Sequence, residues 1–283
     1  MNTFEYAVLF QKALDAKLVA SSVTGWMTEN STGVIYNGGN TYKVPKIDMD
    51  DIEDYNRSTG FAPGSVTVAF EEKTFEKDWG KTFSLDSMDI NETNFVPVAS
   101  EIMGEFQRTK VAPKLDAYRL TKIAKLAAGV GHSRTLAPTK SNVYSELKND
   151  IINAQTDTGV IETDLVIHIS RTAYNLLCDS TELQKTLQVN GGAADLNSNV
   201  KTVNGAVLKV TDDKLMKTED GKLIYWEVMV KTAPVAIVKN DKVRIFTPDV
   251  NQAADAYKLD QRLYHTLNIN DNQLDAVYVA VAE

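Results

Sequence analysis

Three histidines, one cysteine and one acidic run are the places where this sequence could do chemistry. His132, His168 and His265 lie far apart, and none belongs to an HxxxH or HxxE spacing that would set two ligands on one helix face. His168 sits in the run Leu165-Val166-Ile167-His168-Ile169, where it alternates like a strand residue with a local partner. Cys178 has no CxxC companion and reads as a small buried hydrophobe. The acidic stretch 48–54 holds Asp48, Asp50, Asp51, Glu53 and Asp54, without the central glycine and terminal glutamate of an EF-hand loop. It reads as a solvated segment. The pairs Gly38-Gly39 and Gly191-Gly192 sit among Asn, Ala and Asp and read as turns. There is no GxSxG, no P-loop and no GxGxxG. The sequence therefore gives no reason to expect a catalytic residue, a metal or a cofactor, and the weight falls on a binding or structural role.

Composition narrows the field further. Over 283 residues, Lys and Arg number 30 against 38 Asp and Glu, a formal charge of −8. A chain this acidic is a poor candidate for gripping nucleic acid over a broad surface, which needs cations in excess. The single cysteine excludes an internal disulfide. No apolar run approaches the roughly 20 residues that span a bilayer, and residues 1–20 lack a signal-peptide core. The expectation is a soluble protein folded in a reducing cytoplasm, with 43% hydrophobic residues to build a sizeable core.

The elements that would position these residues follow from periodicity. Residues 3–19 read as a helix with Phe4, Val8, Leu14 and Leu18 on one face. Residues 41–85 read as two or three long strands closed by a polar loop, a hairpin unable to bury both faces alone. The strongest helical signal covers 91–129. Asn91 or Thr93 caps it, Pro97 fits its first turn, and Val98, Ile102 and Phe106 recur every fourth residue. Pro113 should kink or restart it, and Gly129 and Gly131 should stop it. In line, such a rod is about 50 Å long, more than one small domain needs. From residue 141 the chain alternates: a helix at 143–154 capped by Ser141, a strand at 164–169, a helix at 172–178 capped by Ser170, and another near 182–188. A polar loop at 190–199 follows, then strands at 206–210 and 223–230, a mixed α/β unit. Strands at 235–238, 243–246, 258–268 and 276–281, separated by Asn-Asp, Pro-Asp and Asp-Asn turns, complete the chain. In the third, Leu259, Gln261, Leu263, His265 and Leu267 share one face.

Three spaced signatures give these pieces a family resemblance. One is Phe83-Ser84-Leu85-Asp86-Ser87-Met88-Asp89-Ile90-Asn91-Glu92-Thr93. The second runs from Met103-Gly104-Glu105-Phe106 through Arg108 and Lys110-Val111 into Pro113-Lys114-Leu115-Asp116-Ala117-Tyr118-Arg119. The third is Lys242-Val243-Arg244-Ile245-Phe246-Thr247-Pro248-Asp249, with Asp255-Ala256-Tyr257 and Arg262-Leu263-Tyr264-His265 after it. In this order they resemble the major capsid protein of tailed bacteriophages with the Hong Kong phage-type fold, in the branch common among phages of Gram-positive bacteria.

The resemblance implies an α+β capsid fold. Residues 1–40 would be an N-terminal arm and 41–82 an extended β-hairpin loop lying across the adjacent subunit. Residues 83–140 with 230–283 would form a peripheral domain built on the long spine helix, and 141–229 an axial domain. It implies self-assembly into pentamers and hexamers of an icosahedral head enclosing double-stranded DNA, with no membrane. The expected partners are copies of the chain itself, a portal, a decoration protein and a separate scaffolding protein, the alternative to the last being a precursor segment that has been cut off. The expected location is the virion, after assembly in the host cytoplasm. Bending at Pro113 and movement of the hairpin would be hinges for shell expansion. The residues expected to carry assembly contacts are Arg57, Trp79, Arg108, Pro113, Asp116, Tyr118, Arg119, Arg244, Asp249 and Arg262. Lys43, Lys46, Lys73, Lys77 and Lys81 lie where some relatives crosslink subunits, but hairpin lysines read first as solubilising. Three alternatives remain: an encapsulin-like compartment shell, an enzyme on the 141–229 unit, and a tail-tube or adhesin subunit.

Overall fold

The computed structural model describes residues 22–36, 39–50, 52–55, 57–58, 60–61, 63–86, 95–161, 164–182 and 200–283. The expected helix at 3–19, the caps Asn91 and Thr93, Gly38, Gly191-Gly192, the loop at 190–199 and all but the first residue of the helix at 182–188 lie outside these residues.

The long helical signal folds as a continuous rod of two helices, α1 (Phe95–Phe106) and α2 (Ala112–Gly129), joined by a π-turn at Gln107–Val111. Pro113 explains the join. It has no N–H to offer the preceding turn, and its ring crowds the carbonyl four residues back. The turn before it widens, and the Ala112 N–H bonds to the Gln107 carbonyl, a step of five residues. The Thr109 hydroxyl also donates to the Glu105 carbonyl at 2.7 Å. The helix therefore restarts at Pro113 without losing its direction, since Phe106, Val111 and Ala112 all keep helical dihedrals. It ends in a Schellman motif: His132 N–H bonds to Ala127 O, Gly131 N–H bonds to Ala128 O, and Gly131 takes a φ of +82°.

The rod joins two sheets. Strand β1 (Ile35–Tyr36) pairs with β2 (Thr41–Met49), and β2 pairs along its length with β3 (Val66–Thr74), which makes the expected hairpin. The chain then enters β4 (Lys77–Asp86), which leaves the hairpin for a second sheet. A short strand β5 (Ser133–Thr135) and helix α3 (Val143–Thr158) follow the rod. Next come β6 (Leu165–Ser170), α4 (Arg171–Cys178), β7 (Thr202–Val203), β8 (Ala206–Thr211) and β9 (Ile224–Val230). Strands β10 (Pro234–Phe246), β11 (Ala256–Ile269) and β12 (Val277–Val281) close the chain. The second sheet runs β10-β11-β4, and a six-stranded sheet runs β5-β12-β9-β6-β8-β7.

The largest core lies on the six-stranded sheet. Leu120, Ile123, Ala124 and Ala127 of α2 and Leu147, Ile151 and Ala154 of α3 pack with its strands. The first half of the rod belongs elsewhere. Met103 of α1 packs with Leu259, and Leu115 of α2 with Leu263, both on β11. One helix face therefore serves two cores in succession.

Four details depart from the expectation. The segments 235–238 and 243–246 are one strand, β10, because β11 pairs continuously along it; Asn240-Asp241 make no turn, and the irregularity shrinks to a bulge between Val238 and Asn240. The N-cap of α3 is Asn142, not Ser141, and its side-chain oxygen accepts from Thr139 N–H at 2.6 Å. Ser170 does cap α4, accepting from Ala173 N–H. The tail 230–283 divides: β10 and β11 join β4, whereas β12 inserts between β5 and β9 of the six-stranded sheet. Cys178 is half-buried, beside Tyr174, and not enclosed in the core.

Candidate assembly surfaces

Among the residues expected to make contacts, Asp116 and Arg119 are the most enclosed, each 2% exposed. They are three apart on α2, so they project from one face toward the 3-10 turn Gly25–Ser31 and the residues before it. Asp116 Oδ1 accepts from Ser22 Oγ at 2.6 Å and from the Thr24 N–H and hydroxyl, while Oδ2 accepts from Val23 N–H at 3.0 Å. Arg119 donates to Thr24 O at 2.9 Å and to Thr28 Oγ1 at 3.3 Å. Burial pulls its guanidinium down to about 10, against the opposing pull of Asp116. These two residues bind the segment at 22–31 to the rod inside one subunit. The same segment sends Trp26 over His168, ring planes 12° apart, and its indole N–H donates to His168 Nε2 at 3.4 Å. Burial and then Lys209 push His168 down to about 3, so it is neutral, with the local partners a strand histidine needs.

Trp79 and Tyr118 meet around a third aromatic. The Trp79 ring stands edge-on to His265 at 4.4 Å, and Tyr118 stands edge-on to both. His265 is fully buried, and neither ring nitrogen has a hydrogen bond. Burial pushes it down to about 3, helped by Arg119, Lys77 and Lys114. Burial also pushes Tyr118 up to about 12, and its hydroxyl donates to Glu76 Oε2 at 3.0 Å. Burial alone would raise Glu76, but Lys122 and Tyr118 hold it below the usual range.

The remaining expected residues face outward. Arg262 makes a two-pronged pair with Asp78 (3.0 and 2.5 Å), and Arg108 pairs with Glu105 one turn back. Exposed pairs like these are screened by water and contribute little to stability. Arg57, Arg244 and Asp249 are exposed, and Pro113 is half-buried at the start of α2.

The hairpin carries a run of exposed apolar side chains. Its base is anchored: Tyr42, Val44 and Phe75 are buried against Val235 and Ile237. Beyond the base, Met49 opposes Val66 and Pro45 opposes Phe70, so Met49, Val66, Val68 and Phe70 line one face. All four are between 50% and 66% exposed. The outer edge of β3 has no strand beside it among the described residues. Isolated exposed apolar residues are ordinary, but a contiguous stripe beside an open strand edge marks a contact surface or an aggregation hazard.

Two buried features were missed by sequence reasoning. In one, Asp150 of α3 accepts from Trp226 Nε1–H at 2.7 Å and forms an ion pair with Arg134, whose Nε lies 2.9 Å away, which ties α3 to β9 and β5. In the other, Glu227 of β9 is fully buried and neither carboxylate oxygen has a partner; burial raises it well above the usual range. The signal for both was a charge inside an otherwise apolar face. Among the described residues no cluster of His, Cys, Asp or Glu could hold a metal ion, and no helix is long and apolar enough to cross a membrane.

No protein-family model and no curated protein matches the chain by sequence. Solved structures do match by shape. The mature capsid of bacteriophage PhiM1 superposes with a TM-score of 0.60, covering 88% of this chain and 83% of that one at 13% identity. The capsid of the cyanophage P-SCSP1u gives 0.59, with 88% and 85% covered at 11% identity. The chain has the phage capsid fold. A virus-like particle from Pyrococcus furiosus also matches, at a TM-score of 0.53 over 95% of this chain and 98% of that one, with 12% identity. The expected α+β capsid architecture is therefore present.

Proposed function

We propose that the protein is a structural shell subunit that assembles into pentamers and hexamers of an icosahedral phage head enclosing double-stranded DNA. The observation that carries this reading is the hairpin's uncovered apolar stripe on a chain of capsid fold: a second copy can cover what this chain leaves open. In a closed shell the same modest contact repeats around every axis, and many weak contacts sum to a stable particle while each stays reversible during assembly. The role is structural, not catalytic.

On this reading residues 1–40 act as the arm, 41–82 as the extended loop, 83–140 with the tail from 230 as the peripheral domain, and 141–229 as the axial domain, which borrows β12 of the tail for its sheet. Arg57, Arg244 and Asp249, exposed on the hairpin loop and around the end of β10, are the charges best placed for contacts between copies. Asp116 and Arg119 serve assembly indirectly, by fixing the residues at 22–31 to the rod. A separate scaffold, a portal and a decoration protein complete the particle, formed in the host cytoplasm. The net charge of −8 suits a wall that confines DNA without gripping it.

A second reading, an encapsulin-like shell around another cargo, draws on the likeness to the archaeal virus-like particle. Purifying particles from cells that carry the neighbouring genes separates the two: nuclease-protected DNA supports the phage head, and a protein cargo supports the compartment.

A further inference from the structure

Hydrogen bonds tie residues 22–31 to the rest of the described fold at three places. Asp116 and Arg119 of α2 hold one end. At the other, the Asn30 side-chain amide donates to Lys231 O at 2.7 Å and to Pro234 O at 2.9 Å. Between them, the Trp26 indole N–H donates to His168 Nε2 on β6, with the two rings stacked. Residues 1–21 join the described fold through this segment. Of the side chains in these ties, only a histidine ordinarily changes charge between pH 5 and 8.

The surroundings of His168 make its charge decide the Trp26 contact. Nε2 can accept the indole N–H only while it carries no proton. The ring proton then sits on Nδ1, 3.4 Å from Thr211 Oγ1. A second proton, on Nε2, would set two N–H groups against each other. The resulting imidazolium would also meet like charge. Lys209 of β8 lies opposite His168 in register and holds its ammonium 5.1 Å from the Trp26 ring. Lys231 adds to the positive field at Lys209, against Glu29 of the 3-10 turn and Asp116 of α2. Arg119 of α2 adds a further cation beside Thr24 and Thr28. Glu227 of β9 lies opposite His168 on its other side and on the same face. It could supply a counter-charge, but burial favours its neutral form, and neither of its oxygens has a hydrogen-bond partner. His168 is fully buried, so water reaches its ring when Trp26 leaves.

We propose that Trp26 and His168 form an acid-released latch: a proton taken up at Nε2 dislodges the indole and frees the segment at 22–31, while the six-stranded sheet stays folded. The release also unties residues 1–21 from this anchor. With the latch closed, burial and Lys209 hold His168 down at about 3, and with it open the ring returns toward its ordinary 6.5. The closed form has the lower value. The latch is therefore at full strength above pH 6.5 and weakens as pH falls toward 3, by up to about tenfold per unit.

The test is hydrogen exchange of the purified full chain between pH 7 and 5, above the ordinary values of Asp and Glu. Rates are corrected for the intrinsic effect of pH, and amides of β6 serve as the internal reference. Protection at residues 22–31 should fall at least about tenfold relative to β6 between pH 6.5 and 5. Two variants remove the titration: His168→Gln keeps an acceptor for the indole, and His168→Phe keeps a ring for the stack, so one serves if the other fails to fold. Each should show the same relative protection at both ends of the range. Glu227→Gln and His265→Gln should keep the fall. A natural chain with no fall overturns the proposal. So does a fall that survives in the His168 variants, or one that Glu227→Gln or His265→Gln abolishes. The outcome does not depend on whether the chain forms shells.

Discussion

Thr24 holds Asp116 twice, donating to the same oxygen through its backbone N–H at 3.0 Å and its hydroxyl at 2.5 Å. With Ser22 and Val23 also donating, the carboxylate is the acceptor around which the chain before the 3-10 turn is folded. Asp116→Asn keeps the shape but brings amide hydrogens against groups that themselves donate. It should cost about 1–3 kcal/mol in urea unfolding, and amide exchange should quicken at residues 22–28 before it does in the six-stranded sheet.

Pro113 and the π-turn form a second coupled pair. With Pro113→Ala an N–H returns, the reason for the wide turn disappears, and Gln107–Val111 can close into ordinary α-helix. The variant should still form round particles but fail to expand into thin angular ones, as followed by cryo-electron microscopy during maturation. Normal expansion would remove Pro113 from the hinge role.

Why the sequence disclosed some of this and not the rest comes down to range. The rod was legible because Val98, Ile102 and Phe106 repeat at helical spacing, and its end because Gly131 is the residue a left-handed C′ position favours. The π-turn was not, because Pro113 says only that an α-helix cannot pass unchanged. The bulge at Lys239 looked like a turn because Asn240-Asp241 is turn chemistry; continuous pairing with β11 overrode that local preference. Asp116 and Arg119 were picked out from their motif, but their intrachain use depends on Thr24, more than 90 residues away.

Buried ionisable groups make stability depend on pH in two opposing ways. Glu227 is raised by burial, so its neutral form fits the fold; its contribution is complete below the ordinary value of 4.5 and is lost as pH rises above that. His168 and His265 are lowered to about 3, so their contribution is complete above the ordinary value of 6.5 and is lost as pH falls from there toward 3, at up to about 1.4 kcal/mol per unit for each. Glu227→Gln should therefore raise Tm at pH 7 and leave it unchanged below pH 4 in calorimetry. An equal gain at both pH values would contradict the assignment.

The hairpin stripe should respond to assembly. In isolated subunits, amides on the open edge of β3 should exchange rapidly, while those of β6, enclosed on both faces, stay protected. In particles, Val66–Thr74 should become protected by at least about tenfold as a neighbour covers the stripe. Equal protection in both states would mean that the stripe is not a contact surface.

The central claim is that this chain closes into a shell. The most direct measurement is electron microscopy of the purified full chain, expressed alone and together with a candidate scaffolding protein. The account predicts closed, round particles whose reconstruction places copies of this chain around five-fold and six-fold positions. Tubes, or small discrete oligomers under both conditions, would contradict it.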